Sequence, residues 1–203
     1  MVLVLTGISL MVAVILVSMY AMTKEPVEVS RSAKQQNAIK DVLPRFDYLD
    51  APELVEIKGA IFLIYKAFDH QHDLVGAAVE STSKNGFNGE IKIMVGFDKE
   101  GNIVNYSVLE QKETPGLGTK MIDWFKPAMK AEKSLIERLL GFEVSAVERK
   151  SSIIGKNPEY TQLTVAKDGG EIDAITSATI TSRAFLEAVR SACEVYKTKY
   201  NDE

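Results

Sequence analysis

The pattern of apolar and polar positions separates an apolar N-terminal run from a long mixed remainder. From Met1 to Met22 there is no Asp, Glu, Lys or Arg, and Val, Leu, Ile and Met dominate. A helix of about twenty residues rises roughly 30 Å, which is the thickness of a bilayer's hydrocarbon core. Tyr20 and Lys24 suit the membrane interface. The pattern predicts a retained transmembrane anchor over residues 1–23, because a signal peptide has a basic start and a shorter apolar stretch.

A second helical pattern follows the anchor. Pro26 predicts the start of a new helix, since the missing N–H of proline costs nothing in a first turn. Apolar and small residues then recur at helical spacing as far as Leu43, and Pro44 marks the end. The polar stretch beyond it predicts a linker, so residues 24–57 are expected to form a helix and a linker. The remainder, residues 58–203, is predicted to be one domain.

This domain is predicted to be α+β, with an antiparallel sheet and flanking helices. Its first half alternates between apolar and polar residues as strands do, with turn residues between the runs. Strands are predicted at residues 60–68, 74–81, 90–97, 103–110, 142–149 and 160–167. Helices are predicted at 119–126, at 132–140 and from about Ser182. The last helix carries an apolar stripe made of Phe185, Ala188, Val189, Ala192 and Tyr196.

Composition excludes several classes of function. The chain has 24 basic and 28 acidic residues, a net charge of -4, which argues against a nucleic-acid partner. A single cysteine, Cys193, excludes an intrachain disulfide, a four-cysteine zinc site and an iron–sulfur cluster held by this chain. It lies near the apolar stripe and is predicted to be a buried structural thiol. His70 and His72 lie in a polar turn without a third ligand, so no metal site is predicted and no catalytic residue is assigned.

The charges that flank the anchor do not fix its orientation. Lys24, Arg31, Lys34 and Lys40 follow the apolar run. The positive-inside rule alone would place the C-terminal domain in the cytoplasm. Because Met1 is followed directly by apolar residues, a basic flank upstream stays open, and so does the side of the membrane.

Two segments carry candidate binding chemistry. Residues 113–118 read Glu-Thr-Pro-Gly-Leu-Gly directly after a predicted strand. Pro115 and Gly116 predict a type II turn, and the glycines that flank Leu117 let the backbone approach a flat ligand closely. Taken alone, this segment is equally typical of a tight connection between a strand and a helix.

The second segment, residues 173–182, reads Asp-Ala-Ile-Thr-Ser-Ala-Thr-Ile-Thr-Ser before the last helix. Only one hydroxyl can cap the helix, so the surplus indicates another role. The N–H groups and dipole of a helix N-terminus stabilise a phosphate. A phosphate esterified to a threonine in this segment would therefore lie in a favourable field.

Together with residues 84–89, Lys-Asn-Gly-Phe-Asn-Gly, these segments resemble three motifs of the FMN-binding domain family in the same order. In that family FMN is joined through its phosphate to a threonine of the motif that residues 176–179 resemble. The resemblance implies Thr179 as the attachment site, with Thr181 as the second choice. The family usually has glycine where this chain has Ser177.

The resemblance, which covers nearly the whole chain, implies a covalent FMN cofactor and a set of cofactor-binding residues. Lys120 and Trp124 could neutralise or contact the flavin, although tryptophan at such a position is more often a core residue. Glu113 either orients the loop by accepting backbone N–H bonds or is exposed, and both alternatives are open. The implied set is Glu113, Thr114, Gly116, Leu117, Gly118, Lys120, Trp124, Thr176, Ser177, Ala178, Thr179 and Thr181.

The anchor and the length resemble the single-pass subunits of ion-translocating electron-transport complexes, of the Rnf type or, as the alternative, of the sodium-pumping Nqr type. The resemblance implies membrane and iron–sulfur subunits as partners and a flavin transferase that uses FAD. It also implies an inner-membrane location with the domain on the periplasmic or outer face. The isoalloxazine ring would perform the redox chemistry, so no independent catalytic site is expected. A non-redox anchored binding module and a stand-alone extracytosolic flavoprotein reductase are the competing interpretations.

Overall fold

The computed structural model describes residues 1–127 and 150–200. The predicted helix at 132–140 and the predicted strand at 142–149 lie outside the described residues. The chain divides into two compact units, Met1–Asn37 and a second unit that begins at Ala38, and each is described by itself.

The first helix, α1, spans Val2–Val42 and contains Pro26. The prediction of a new helix at Pro26 is therefore wrong. Proline removes one backbone hydrogen bond but has a helical φ, so helical sequence on both sides carries the helix through that position. By length and composition α1 can cross a membrane, and the side chains of its apolar first half are exposed.

Six strands of the described chain form one antiparallel sheet with the order β1-β3-β4-β5-β6, in which β2 also pairs with β3. The predictions at 60–68 and 103–110 are confirmed, and those at 74–81 and 90–97 are correct to within two residues. The strands are β1 (Tyr48–Leu49), β2 (Glu53–Ile57), β3 (Ala60–Phe68), β4 (Leu74–Ser83), β5 (Ile91–Asp98) and β6 (Ile103–Glu110).

Two predictions about strands are wrong. The stretch predicted as a linker contains β1 and β2, because β3 offers an edge with which these short polar segments pair. The strand predicted at 160–167 does not form: Val165 makes an isolated bridge with Ile172, and Ala166–Asp168 is a 3-10 turn. Within the described residues this short apolar alternation has no neighbouring strand beyond the bridge to Ile172, and alternation alone does not suffice for a strand.

The last helix, α3 (Thr179–Tyr200), covers one face of the sheet and begins three residues before the predicted start at Ser182. The predicted apolar stripe is confirmed, since all five of its side chains are buried. Phe185 stacks on Phe125 with ring centroids 4.6 Å apart. Cys193 is buried as predicted, and burial raises the pKa of its thiol to about 12.

The opposite face of the sheet is also buried in part. The end of α1 covers Tyr65, Ala78 and Met94 there, so the fold has two apolar layers rather than one. At Gly96 a Cβ atom would lie 1.9 Å from the carbonyl oxygen of Val42, so this helix can approach the sheet only over a glycine. The fold class, α+β with an antiparallel sheet, flanking helices and a long apolar N-terminal helix, is confirmed.

One end of the sheet gathers the segments that the sequence singles out. In antiparallel order, the end of β4, the start of β5 and the end of β6 lie side by side. The loop 84–89 therefore lies beside the loop 113–118, although they are far apart in sequence. The short helix α2 (Met121–Trp124), preceded by the 3-10 turn Gly118–Lys120, replaces the longer helix predicted at 119–126.

Candidate functional site

The three motif segments meet around a cleft of about 310 Å³ at the start of α3. This volume lies at the lower end of the range that small-molecule sites occupy. The loop 84–89 contributes one residue, the loop 113–118 four, and the segment 173–182 the rest. The lining consists of Phe87, Glu113, Thr114, Leu117, Gly118, Ser177, Ala178, Thr179, Ile180 and Thr181.

The predicted type II turn is confirmed. Gly116 has a φ of +76°, as the third residue of such a turn requires. The backbone N–H of Leu117 donates to the carbonyl of Thr114 at 3.2 Å and closes the turn. Gly116 does not line the cleft. Glycine is needed at this position because the turn requires a positive φ.

Glu113 connects the three segments. Its side chain is buried, with 5% of the residue exposed. One carboxylate oxygen accepts the backbone N–H of Asn88 at 3.2 Å, and the other accepts the hydroxyl of Thr181 at 2.6 Å. Of the two open alternatives, the buried acceptor is therefore correct, and the backbone that it holds is that of the loop 84–89.

Two glycines allow this approach. A Cβ at Gly118 would lie 2.6 Å from Oε2 of Glu113 and 3.0 Å from Oγ1 of Thr181. A Cβ at Gly86 would lie 2.8 Å from Oε1 of Glu113. Gly118 is thus needed for packing within the protein, which differs from the predicted role of admitting a flat ligand.

Side-chain hydrogen bonds fix the loop 84–89 at both ends. Near its start, the amide of Asn85 donates to the carboxylate of Glu187 on α3 at 2.8 Å. Near its end, the amide of Asn88 donates to the hydroxyl of Thr114 at 3.2 Å. Between them the ring of Phe87 lies at the rim of the cleft and is 62% exposed. A held loop therefore presents an exposed aromatic ring to the cleft.

The segment before α3 carries one strained residue. Ser177 has a φ of +65°, in the left-handed region that favours glycine. This conformation explains why the related motif usually has glycine at this position. The segment is held by Ser182, whose hydroxyl donates to the carbonyl of Ala178 and accepts the N–H of Ile175.

The two candidate threonines have different surroundings. Thr181 is 2% exposed, and Glu113 binds its hydroxyl. Thr179 is half-buried, and within residues 1–127 and 150–200 its hydroxyl has no hydrogen-bond partner. Of the two, Thr179 is the one whose oxygen is available for bond formation.

The start of α3 is suited to an anion. The residue before the helix is Ala178, whose methyl group cannot cap it. The first N–H groups of a helix have no intrahelical partner, and within the described residues no other group accepts those of residues 179–181, so they are open to an oxyanion. A phosphate on Thr179, the first residue of α3, would lie in their field.

A second cleft of about 410 Å³ lies on the other side of Thr179 and contains Trp124, Lys167 and Thr176 in its wall. The indole N–H of Trp124 donates to the carbonyl of Asp173 at 2.9 Å. Trp124 therefore packs partly against the core and also holds the beginning of the segment 173–182.

The structure brings together most, but not all, of the site residues that the sequence predicts. Most of the predicted residues line one of the two clefts, whereas Gly116 and Lys120 line neither. The prediction missed Phe87 and Ile180, which line the first cleft. A phenylalanine between two glycines in the loop 84–89 was a sequence signal that could have identified Phe87 as a binding residue. Ile180 could not be identified in this way, because its position depends on where α3 begins.

The histidines of the polar turn are engaged in local contacts. His70 Nε2 lies 3.1 Å from a carboxylate oxygen of Asp47. The ring of His72 stacks on that of Tyr48 at 5.2 Å. In the described part of the chain, no group of three or more His, Cys, Asp or Glu residues could hold a metal ion.

A comparison of the sequence with protein families identifies the domain that contains the first cleft. Residues 86–194 match the model of the FMN-binding domain, and they include all ten residues that line the first cleft. The chain belongs to the FMN-binding domain family. This membership confirms the resemblance that the three segments indicated.

The chain is also similar over most of its length to proteins that are named as G subunits of an ion-translocating oxidoreductase complex. It is 33% identical to the G subunit of Aliivibrio fischeri (strain ES114), over 88% of this chain and 80% of that protein. It is 35% identical to the G subunit of Salmonella typhi, over 84% and 77% of the two chains. The G subunit of Haemophilus influenzae (strain PittEE) is 27% identical, over 90% and 82%. These relatives confirm the predicted resemblance to a subunit of the Rnf-type ion-translocating complexes.

Proposed function

We propose that this chain is a membrane-anchored electron carrier that holds FMN covalently through a phosphoester to Thr179. The observation that carries the proposal is the cleft that joins the three motif segments at the start of α3. An accessible hydroxyl on the first residue of an uncapped helix offers both a nucleophilic oxygen and a field that stabilises the attached phosphate. The family model supports FMN as the ligand.

Attachment is a phosphoryl transfer. The Thr179 oxygen forms a bond to the riboflavin-side phosphorus of FAD, the bond between the two phosphates breaks, AMP leaves and the hydroxyl proton is released. Within the described residues, the Thr179 hydroxyl has no hydrogen-bonded acid or base for this step. A separate flavin transferase is therefore part of the proposal.

The residues of the clefts fit the group. The N–H groups at the start of α3 would hold the phosphate, and the apolar side chains of Phe87, Leu117 and Ile180 would contact the ring system. When bound, FMN supplies reversible electron uptake and release, while the protein fixes its position and electrostatic surroundings. Glu113 and Asn88 keep the walls of the cleft in place.

The anchor and the relatives define the proposed setting. α1 supports single-pass membrane anchoring, and relatives that are G subunits of an ion-translocating oxidoreductase complex support a place in such an assembly. We place the domain on the periplasmic or outer face of the inner membrane, where it passes electrons between neighbouring subunits, among them iron–sulfur subunits. The Rnf type is favoured over the Nqr type because the relatives are named as G subunits.

The intact mass of the full-length protein purified from its native membrane tests covalent attachment. We expect an increase of one FMN less one water, and its loss in T179A made in the same host. An unmodified mass in a host that flavinylates its other proteins would favour the non-redox binding module. A reporter fused to the C-terminus tests orientation separately, since cytoplasmic reporter activity would contradict the proposed electron route.

A further inference from the structure

Glu113 separates the surroundings of the two threonines in the first turn of α3. Its carboxylate lies 2.6 Å from the hydroxyl oxygen of Thr181, which is 2% exposed. Thr179, two residues earlier, is half-buried and lines both clefts. Two chemically identical side chains on one helical turn therefore differ in what holds their hydroxyl groups.

The carboxylate of Glu113 is fixed in this place. The backbone N–H of Asn88 holds one of its oxygens. The backbones of Gly86 and Gly118 lie so close that a Cβ on either would contact a carboxylate oxygen at 2.8 Å or less. Glu113 cannot turn away from Thr181 unless at least one of these backbone segments moves.

A phosphodiester on Thr181 would conflict with this arrangement. Its negative charge would be attached to an oxygen that now lies 2.6 Å from a buried carboxylate. Like charges at such a distance repel strongly where water does not screen them. The Thr181 hydroxyl also donates its proton to Glu113, so attachment would leave the carboxylate without that donor.

We infer that Glu113 is a specificity-determining positioning residue, which withholds Thr181 from phosphoryl transfer and so reserves Thr179 as the acceptor. The inference rests on the proposed covalent attachment of FMN. The transfer that Glu113 prevents is the one in which Thr181 Oγ1 would bond to the FAD phosphorus, with loss of its proton and departure of AMP.

Peptide mapping of full-length variants made with the flavin transferase tests this role. Trypsin cleaves after Lys167 and Arg183, so residues 168–183 form one peptide that contains both threonines. In T179A this peptide is expected to stay unmodified. In T179A/E113Q it is expected to carry FMN on Thr181, because glutamine keeps the size and acceptor oxygen of glutamate but removes the charge.

A matched control removes a different carboxylate. Glu110 lies at the end of β6 and is exposed, so T179A/E110Q is expected to stay unmodified. Thermal unfolding of each variant establishes that it is folded. Where the glutamine variant does not fold, Glu113→Ala in the same background repeats the test.

Three results would overturn the inference. They are FMN on Thr181 in T179A with Glu113 intact, an unmodified peptide in a folded T179A/E113Q protein, and modification of T179A/E110Q to the same extent as T179A/E113Q. These results differ from a failure of the proposed function, which would appear as absence of covalent flavin from the unaltered chain.

Discussion

The two walls of the cleft differ in how many of their polar side chains have hydrogen-bond partners. In the glycine-loop wall, residues 84–89 and 113–118, polar groups bind one another: Asn88 donates to Thr114, and its N–H to Glu113. In the acceptor wall, residues 173–182, Thr176 and Ser177 are exposed, and Thr179 has no hydroxyl partner in the described chain.

This difference distinguishes the polar groups that hold the structure of the cleft from the hydroxyl that is available for chemistry. Buried polar groups that are fully paired fix the position of the backbone around them. A hydroxyl at a helix start, without a partner within the described residues, keeps its oxygen available to a reagent. Thr181 joins the two walls, because it belongs to the acceptor wall by sequence and to the glycine-loop wall by its bond to Glu113.

The largest effect is expected from the core that carries the acceptor wall. Phe185 is fully buried and stacks on Phe125, so Phe185→Ala should cost about 3–5 kcal/mol of unfolding free energy. Phe87→Ala removes an exposed ring and should change stability by less than about 0.5 kcal/mol. Urea titration of the full-length proteins in detergent compares them, and equal losses would contradict the description of Phe87 as a rim residue.

The second prediction compares the threonines directly. Thr181→Val should cost about 1.5–3 kcal/mol, because it removes a hydrogen bond to a buried carboxylate. Thr179→Val, the matched control, removes a hydroxyl without a described partner and should be nearly neutral. The measurement is urea unfolding of protein made without the flavin transferase, followed by the fluorescence of Trp124. Similar losses in both variants would remove the distinction between the threonines.

The third prediction concerns packing in the glycine-loop wall. Gly118→Ala places a methyl group 2.6 Å from the Glu113 carboxylate and should cost about 1–3 kcal/mol. Gly116→Ala meets nothing within 4 Å and should cost about 1 kcal/mol through its positive φ alone. Adding Thr181→Val to each variant distinguishes a packing conflict from backbone strain. Only Gly118→Ala lies close enough to Thr181 for the two losses of unfolding free energy to be non-additive.

The smallest prediction concerns the strain in the acceptor wall. Ser177→Gly should stabilise the protein by about 1 kcal/mol, because glycine adopts a φ of +65° without the cost that a side chain pays. Thr176→Gly, at the neighbouring position without a positive φ, should instead destabilise the protein. A higher midpoint of thermal unfolding for the first variant and a lower one for the second would support this account. Destabilisation by Ser177→Gly would contradict it.

Local chemistry made part of the fold predictable. The sequence determines the turn at 113–118 through Pro115 and Gly116, and the buried stripe of α3 through its spacing. Strand β2 was not predictable, because its pairing with β3 rather than its own apolar pattern makes it a strand. The continuity of α1 through Pro26 likewise depends on helix on both sides of the proline.

The site was predictable as a set of segments but not as a set of contacts. Motif order identified the loops 84–89 and 113–118 and the segment before α3. Nothing in the sequence states that Glu113 reaches Thr181 or that Lys120 lies outside the cleft lining, since both depend on how the sheet end meets α3. The choice between the two threonines depends on where α3 begins, because that start makes Thr179 the first residue of the helix.

The most direct test of the account is fragmentation of the peptide 168–183 from the full-length protein isolated from its native membrane. We expect one FMN phosphoester, located on Thr179, with Thr176, Ser177, Thr181 and Ser182 unmodified. FMN on Thr181, or a peptide with no modification from a host whose other proteins are flavinylated, would contradict the central claim that the structure reserves Thr179 for the cofactor.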